Sequence, residues 1–316
     1  MRGEAQPPRP SNLEVTRQEP SAVACISAVC AACFSAVRHK MLGLQIRTVM
    51  AENMNSELNM IGSLLPLFPC ITFDVEYAGT LHRSSAATRI APSKQYALVK
   101  KNVDAVPIVM LGITLSNEYG NLPLTADGEG RLFQLAWEVT FSDFDPRRDR
   151  HAPESVTFLR SQGVCLDKAR ARGVSSAAFA AKLAAILSAT PRPNELTWAA
   201  FGGAYDFAYM LKILTGGQPL PETWHEFMAQ THALLGGGRV FDAKYMAEHC
   251  ERTDLGGLGL RRMAATLGMR WDFPELPFLA GRKSHIACFI CTIMRRRILY
   301  RDGGDILVGL LDGIHW

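Results

Sequence analysis

The sequence predicts an α/β protein, a mixed sheet covered by helices, and three observations carry that prediction. Residues 68–141 hold three strand-like stretches with Ile, Val, Phe and Tyr on alternate or continuous positions. From Ser175 onward the pattern changes to strand followed at once by helix, in "NELTWAAFGGAYDFAYMLKIL" and again in "GGRVFDAKYMAEHC". With 48% hydrophobic and 20% charged residues in 316 positions, the chain has the composition of a globular protein with a sizeable core.

In chain order, residues 1–43 form an extension outside the domain. It opens on "QPPRPSN", a disordered-type composition. Ser21–Val37 carries no charge but is too short and too rich in small residues for a membrane span. The mixed signs of Glu14, Arg17 and Glu19 do not suit a secretory leader, which leaves an organelle-targeting segment or a plain extension. From Leu44 a helix is expected through Ile46, Val49, Met50, Met54, Leu58, Ile61 and Leu65, ending at Pro66 and Pro69. The stretches "FPCITFDVEYAGT", "PIVMLGITLSNEYGNLP" and "RLFQLAWEVTF" follow as three strands with short links, an antiparallel meander. Ser175 is the expected N-cap of the next helix. "GGLGLRRMAATLGM" and "AGRKSHIACFICTIMRRRIL" are two more helices. One domain over residues 44–300 and a short tail over 301–316 complete the organisation.

The eight cysteines are too sparse for a disulfide framework. Cys30–Cys33 and Cys288–Cys291 have the spacing of half a zinc site but lack a second knuckle, so buried apolar cysteines are expected. A formal charge of +4 permits a polyanionic partner without requiring one. The basic runs at Arg147–Arg148, Lys168–Arg172 and Arg295–Arg297 suit an RNA backbone or a solvated face. Trp137, Trp198, Trp224 and Trp271 are expected in the core or on a partner surface.

Asp74 and Glu76 share one parity of their strand, so they face the same way about 7 Å apart. Two arrangements give that pattern. The acids line the solvent side of an edge strand, or they lie on a covered face, where repulsion and desolvation call for a cation between them. Hard oxygens at that spacing suit Mg²⁺ or Mn²⁺. Asp206, in the first turn of the helix after "LTWAAFGG", is either a third ligand at a strand end or a helix-start acid.

The stretches "FPCITFDVEYAG", "LGITLSNEYGNLP", "GAYDFAYMLKILTG", "FDAKYMAEHC" and "LGGLGLRRMAATLGM" together resemble the CAF/Pop-type deadenylases. These are the DEDD-superfamily 3′ exoribonucleases of the CCR–NOT (carbon catabolite repressor–NOT) complex. The resemblance runs from about Ile46 to about Leu299. It implies a ribonuclease H-like fold and the shortening of mRNA poly(A) tails with release of AMP. It also implies a two-ion Mg²⁺ or Mn²⁺ site, with Asp74, Glu76 and Asp206 as three of four catalytic and metal-binding acids. Tyr77 and Gly79 match positions that contact the terminal nucleotide. The implied partners are poly(A) RNA and the scaffold and other nuclease subunits of the complex, with no membrane, in nucleus and cytoplasm.

One stretch departs from the pattern. The family's last helix opens on a motif like His-x-Ala-Gly-Ser-Asp-Ser, and here the chain reads "FLAGRKSHIACF". Phe278 stands for the His and Lys283 for the fourth acid. His285, about 200° around the helix from Lys283, substitutes for neither. An impaired exoribonuclease is therefore the first expectation. A catalytically weak or inactive scaffold member of the same complex is the alternative, and a nuclease of the superfamily with another oligonucleotide substrate is the third reading.

Overall fold

The computed structural model describes residues 42–84, 90–270, 273 and 275–315. The expectations about residues 1–41, Cys30–Cys33 and Trp271 lie outside the described residues. The elements in order are β1 (Gly43–Val49), α1 (Met54–Leu64), β2 (Cys70–Tyr77), α2 (Pro92–Ala105), β3 (Ile108–Ser116), β4 (Leu124–Ala126) and β5 (Leu132–Thr140). Then come α3 (Pro153–Ser161), α4 (Leu166–Arg172), α5 (Ser176–Ala189), β6 (Thr197–Ala200), α6 (Ala204–Leu214) and α7 (Trp224–Leu234). The chain closes with β7 (Arg239–Asp242), α8 (Ala243–Glu248), α9 (Leu260–Thr266) and α10 (Ala280–Ile293).

The strands form one mixed sheet in the order β1-β5-β3-β2-β6-β7, with β4 on β5. β3 is antiparallel to both β2 and β5, while β1 pairs with β5, β6 with β2 and β7 with β6, all in parallel. The expected mixed sheet is present, with two corrections to its parts. Leu44–Val49 is a strand, because Gly43–Val49 finds a full parallel ladder on Phe133–Val139. The helix starts only at Met54, after Asn53 has folded its Oδ1 back onto the Met50 amide at 2.8 Å. Nor are β2 and β3 joined by a short link. α2 lies between them and buries Tyr96, Val99 and Val103.

β3 is buried along its whole length, which places β2 and its acids inside the sheet. Trp137 and Trp198 are core residues as expected, and Phe73 meets Trp198 and Phe207 edge-on at 6.2 and 4.9 Å. Cys288 and Cys291 are buried free thiols. The hydroxyl of Ser175 caps α5 by accepting the Ala178 amide at 3.2 Å. Among the described residues no helix is long and apolar enough to cross a membrane.

α10 packs across β2 and β3. It can come so close because position 112, between Asp74 and Glu138 in the sheet, is glycine. A Cβ there would run into the Ala280 carbonyl and the Gly281 amide. Gly112→Ala is therefore expected to push the first turn of α10 off the sheet and cost about 3 kcal/mol. A urea midpoint unchanged from the parent would show that the contact is not tight.

Candidate active site

β2 and β6 pair over Cys70–Thr72, and β6 stops at Ala200 while β2 runs on to Tyr77. Past Thr72 this edge of β2 has no neighbouring strand, and a buried N–H without a partner is costly. The Val75 amide is satisfied by Asp206, whose Oδ1 accepts it at 2.8 Å. The first turn of α6 thus supplies a carboxylate where the sheet runs out of strand. Asp206 is buried, 6% exposed, so it does not stand at a solvated helix start.

Asp242 fixes the approach to that turn. Its carboxylate accepts the amides of Gly202 at 2.9 Å and Gly203 at 2.8 Å, just before α6. It also caps α8 through the Lys244 amide and holds the C-terminal segment through the Asp312 amide, each at 2.9 Å. Asp directly before a helix, in "VFDAKY", is a capping signature that points to this role.

Asp74, Glu76, Tyr77, Gly79, Tyr205, Asp206 and Lys283 line one cavity of about 350 Å³, with Arg83 and Phe158 also in its wall. Asp74 and Glu76 therefore face this cavity rather than bulk solvent. Lys283 enters from α10, and its Nζ pairs with Glu76 Oε1 at 2.7 Å. Gly79 has φ 94°, a backbone state that favours glycine, and a Cβ there would meet Ser155 and Ala152. Tyr77 is stacked on Tyr205, ring centroids 5.3 Å apart and 15° from parallel. The Tyr205 hydroxyl is in turn held by Asn102 Nδ2 at 3.0 Å.

Phe278 is not part of the cavity wall. Its ring carries the Arg261 guanidinium at 3.8 Å, and its amide donates to Gln162 Oε1 at 2.9 Å. His285 also stays out of the cavity, on Gln134 Oε1 at 3.2 Å and edge-on to Phe273. Glu138 was not singled out from the sequence. It lies in the same cross-strand row as Asp74, with Gly112 between, and accepts the Gly281 amide at 2.9 Å. Lone acids in apolar strands give no local signal, since the partner is far along the chain.

Burial dominates the electrostatics. It pushes the Asp74 carboxyl well above its ordinary value, helped by the charge of Asp206, and pushes Asp206 up to about 7. Glu76 and Glu138 are raised by burial too, with Lys283 opposing. For Lys283 burial alone would favour the neutral amine. The neighbouring Asp74 and Glu76 outweigh it and hold the ammonium charged. Asp74 Oδ2 is buried with no hydrogen-bond partner, which is an opening for a cation. Among the described residues no three His, Cys, Asp or Glu side chains form a ready-made metal cage.

No family model matches the chain. Over 224 residues it is 32% identical to the probable CCR4-associated factor 1 homolog 7 of Arabidopsis thaliana, covering 71% of this chain and 78% of that protein. It is 34% identical over 182 residues to the poly(A) ribonuclease pop2 of Schizosaccharomyces pombe, covering 58% of this chain and 51% of that protein. The Mg²⁺- and Mn²⁺-bound structure of S. pombe Pop2p superposes with a TM-score of 0.69 at 29% identity, over 85% of this chain and 99% of that one. The yeast CAF1 structure co-crystallised with the NOT1 MIF4G domain superposes with a TM-score of 0.65 at 21% identity, over 84% and 96% of the two chains. That last likeness is one of fold.

The buried His285 generates a pH prediction. Burial holds its imidazole down at about 4, while an unfolded His titrates near 6.5. Between those values the unfolded chain binds more protons, so the stability is fully present above pH 6.5 and is lost as pH falls toward 4. Relative to His285→Gln, the parent is expected to lose about 2 kcal/mol between pH 7 and pH 5 in urea unfolding. Parallel pH profiles for the two proteins would contradict a neutral buried imidazole.

Proposed function

The chain belongs to the family of the CCR4-associated factor 1 and Pop2 proteins, and on that premise we propose that it is a poly(A)-specific 3′ exoribonuclease of the CCR–NOT complex, slowed by Lys283 and Phe278. The observation that carries this is the cavity shared by Asp74, Glu76 and Asp206.

The residues fit one divalent ion. Asp74 has an unpartnered oxygen and Asp206 lies beside it at the β2 edge. Mg²⁺ or Mn²⁺ is commonly held by one or two carboxylates together with waters and phosphate oxygens, so a full protein cage is not needed. Glu76 is engaged by Lys283, and the fourth acid is absent, which leaves no second ion site of the same quality. When bound, such an ion supplies Lewis acidity toward the phosphodiester and makes water a better nucleophile.

The chain's own groups do the rest. Gly79, left-handed and seated against Ser155 and Ala152, turns the chain at the cavity wall, and the stacked Tyr77 and Tyr205 give the cavity an aromatic wall. Arg83, paired with Glu154 at 3.0 Å, brings a guanidinium to the wall for the backbone charge of RNA. No group at position 278 takes a proton from water, because phenylalanine has no basic atom. A catalytically silent member of the complex is the second reading, favoured by the closed Lys283–Glu76 pair.

The proposal is tested with labelled RNA ending in adenosines. AMP release is expected in Mn²⁺ and not in EDTA, and it should rise at least about 100-fold in the double variant Phe278→His with Lys283→Asp. Equal rates for parent and double variant would show that a different group supplies the missing chemistry. No release by either protein would favour the silent reading. Capture of the large scaffold subunit is expected to be unchanged by Asp74→Ala, since that acid faces the cavity; loss of capture would place site and interface together.

A further inference from the structure

We infer that Lys283 is a resident counter-ion of the acidic cluster, exchangeable with a divalent cation at Glu76. The Glu76 side of the site is then balanced without metal and admits an ion by moving one side chain. This rests on taking Asp74, Glu76 and Asp206 as the cation ligands.

Three carboxylates converge on a single cavity, and an uncompensated charge in such a place is strongly unfavourable. Arg83 is engaged at 3.0 Å by Glu154, outside the cluster, and both side chains of that pair are largely exposed. Lys283 is different: its side chain is 19% exposed, its Nζ sits 2.7 Å from Glu76 Oε1, and Asp74 and Asp206 also act on its charge. A divalent ion at Glu76 would lie within a few ångströms of this ammonium, where like charges repel by several kcal/mol at an effective dielectric near 20. Ion and ammonium therefore exclude each other.

The backbone beneath the lysine is fixed. The Gly281 amide is held by Glu138 at 2.9 Å, the Lys283 amide by the Leu279 carbonyl at 2.9 Å, and Gly112 seats this turn against β3. Exchange is consequently a rotation of the four-carbon stem and not a shift of α10. The rings of Phe158 and Phe278 already flank Nζ in its Glu76-bound position, at 6.0 and 5.6 Å, within cation–π range, and Phe158 is 40% exposed at the cavity wall.

The test is thermal melting of the full chain, which reads no nuclease activity. Lys283→Met keeps the stem and removes the charge. In EDTA it is expected to melt about 5–10 °C below the parent and to gain clearly more than the parent from saturating Mn²⁺, because the parent gains only from an ion at Asp74 and Asp206. If Lys283→Met does not fold without metal, adding Glu76→Gln removes the excess negative charge. That double variant should melt near the parent in EDTA. Equal melting of parent and Lys283→Met in EDTA would overturn the inference, and so would a loss that Mn²⁺ fails to restore or a parent that gains as much from Mn²⁺ as the variant. A parent that melts as expected yet releases no AMP would leave this inference standing and remove only the proposed activity.

Discussion

The ion pair between Lys283 Nζ and Glu76 Oε1, at 2.7 Å, sets the charge balance on which this end of the sheet depends. Asp74, Glu76 and Asp206 are brought together by strand parity and by a helix start; Glu76 and Asp206 are buried, and burial raises the carboxyl of each of the three. A cation among them, or a proton on part of the cluster, relieves that charge. In this chain a lysine does so from the first turn of α10, where the family resemblance calls for a fourth carboxylate. Energetically the substitution turns a site that needs metal for balance into one that carries its own balance.

The rest of the architecture delivers that lysine accurately. β6 is cut short, so the Val75 amide turns to Asp206, and the acid is fixed by a bond the sheet would otherwise have made. Asp242 gathers the turn before α6, the start of α8 and the C-terminal segment onto one carboxylate. Gly112 and Glu138 hold α10 down from the opposite side. These contacts couple four separate parts of the chain to the geometry of one cavity.

Much of this was legible in the sequence. The period of two in "ITFDVEY" sets Asp74 and Glu76 on one face whatever the sheet order, and "FGGAYDF" announces a helix start right after a strand. What was misjudged depends on contacts distant in sequence. Leu44, Ile46 and Val49 fit a strand or a helix equally, and their parallel partner β5 lies far down the chain. Whether Asp206 lies at the strand end or stands as a solvated helix-start acid was open in the sequence, and the missing strand beside β2 decides for the first. Glu138 carried no signal, because its partner Gly281 is 143 residues away. Tyr205 carried no signal either, because Tyr77, on which it stacks, lies on a distant strand.

The central claim is that one ammonium has replaced one ion. The most direct measurement is the number of metal ions in crystals of the protein soaked in Mn²⁺ and studied at the manganese absorption edge. A single anomalous peak is expected beside Asp74 and Asp206, with Lys283 still on Glu76. Two peaks flanking Asp74, or a single peak on Glu76 with Lys283 undisplaced, would contradict it.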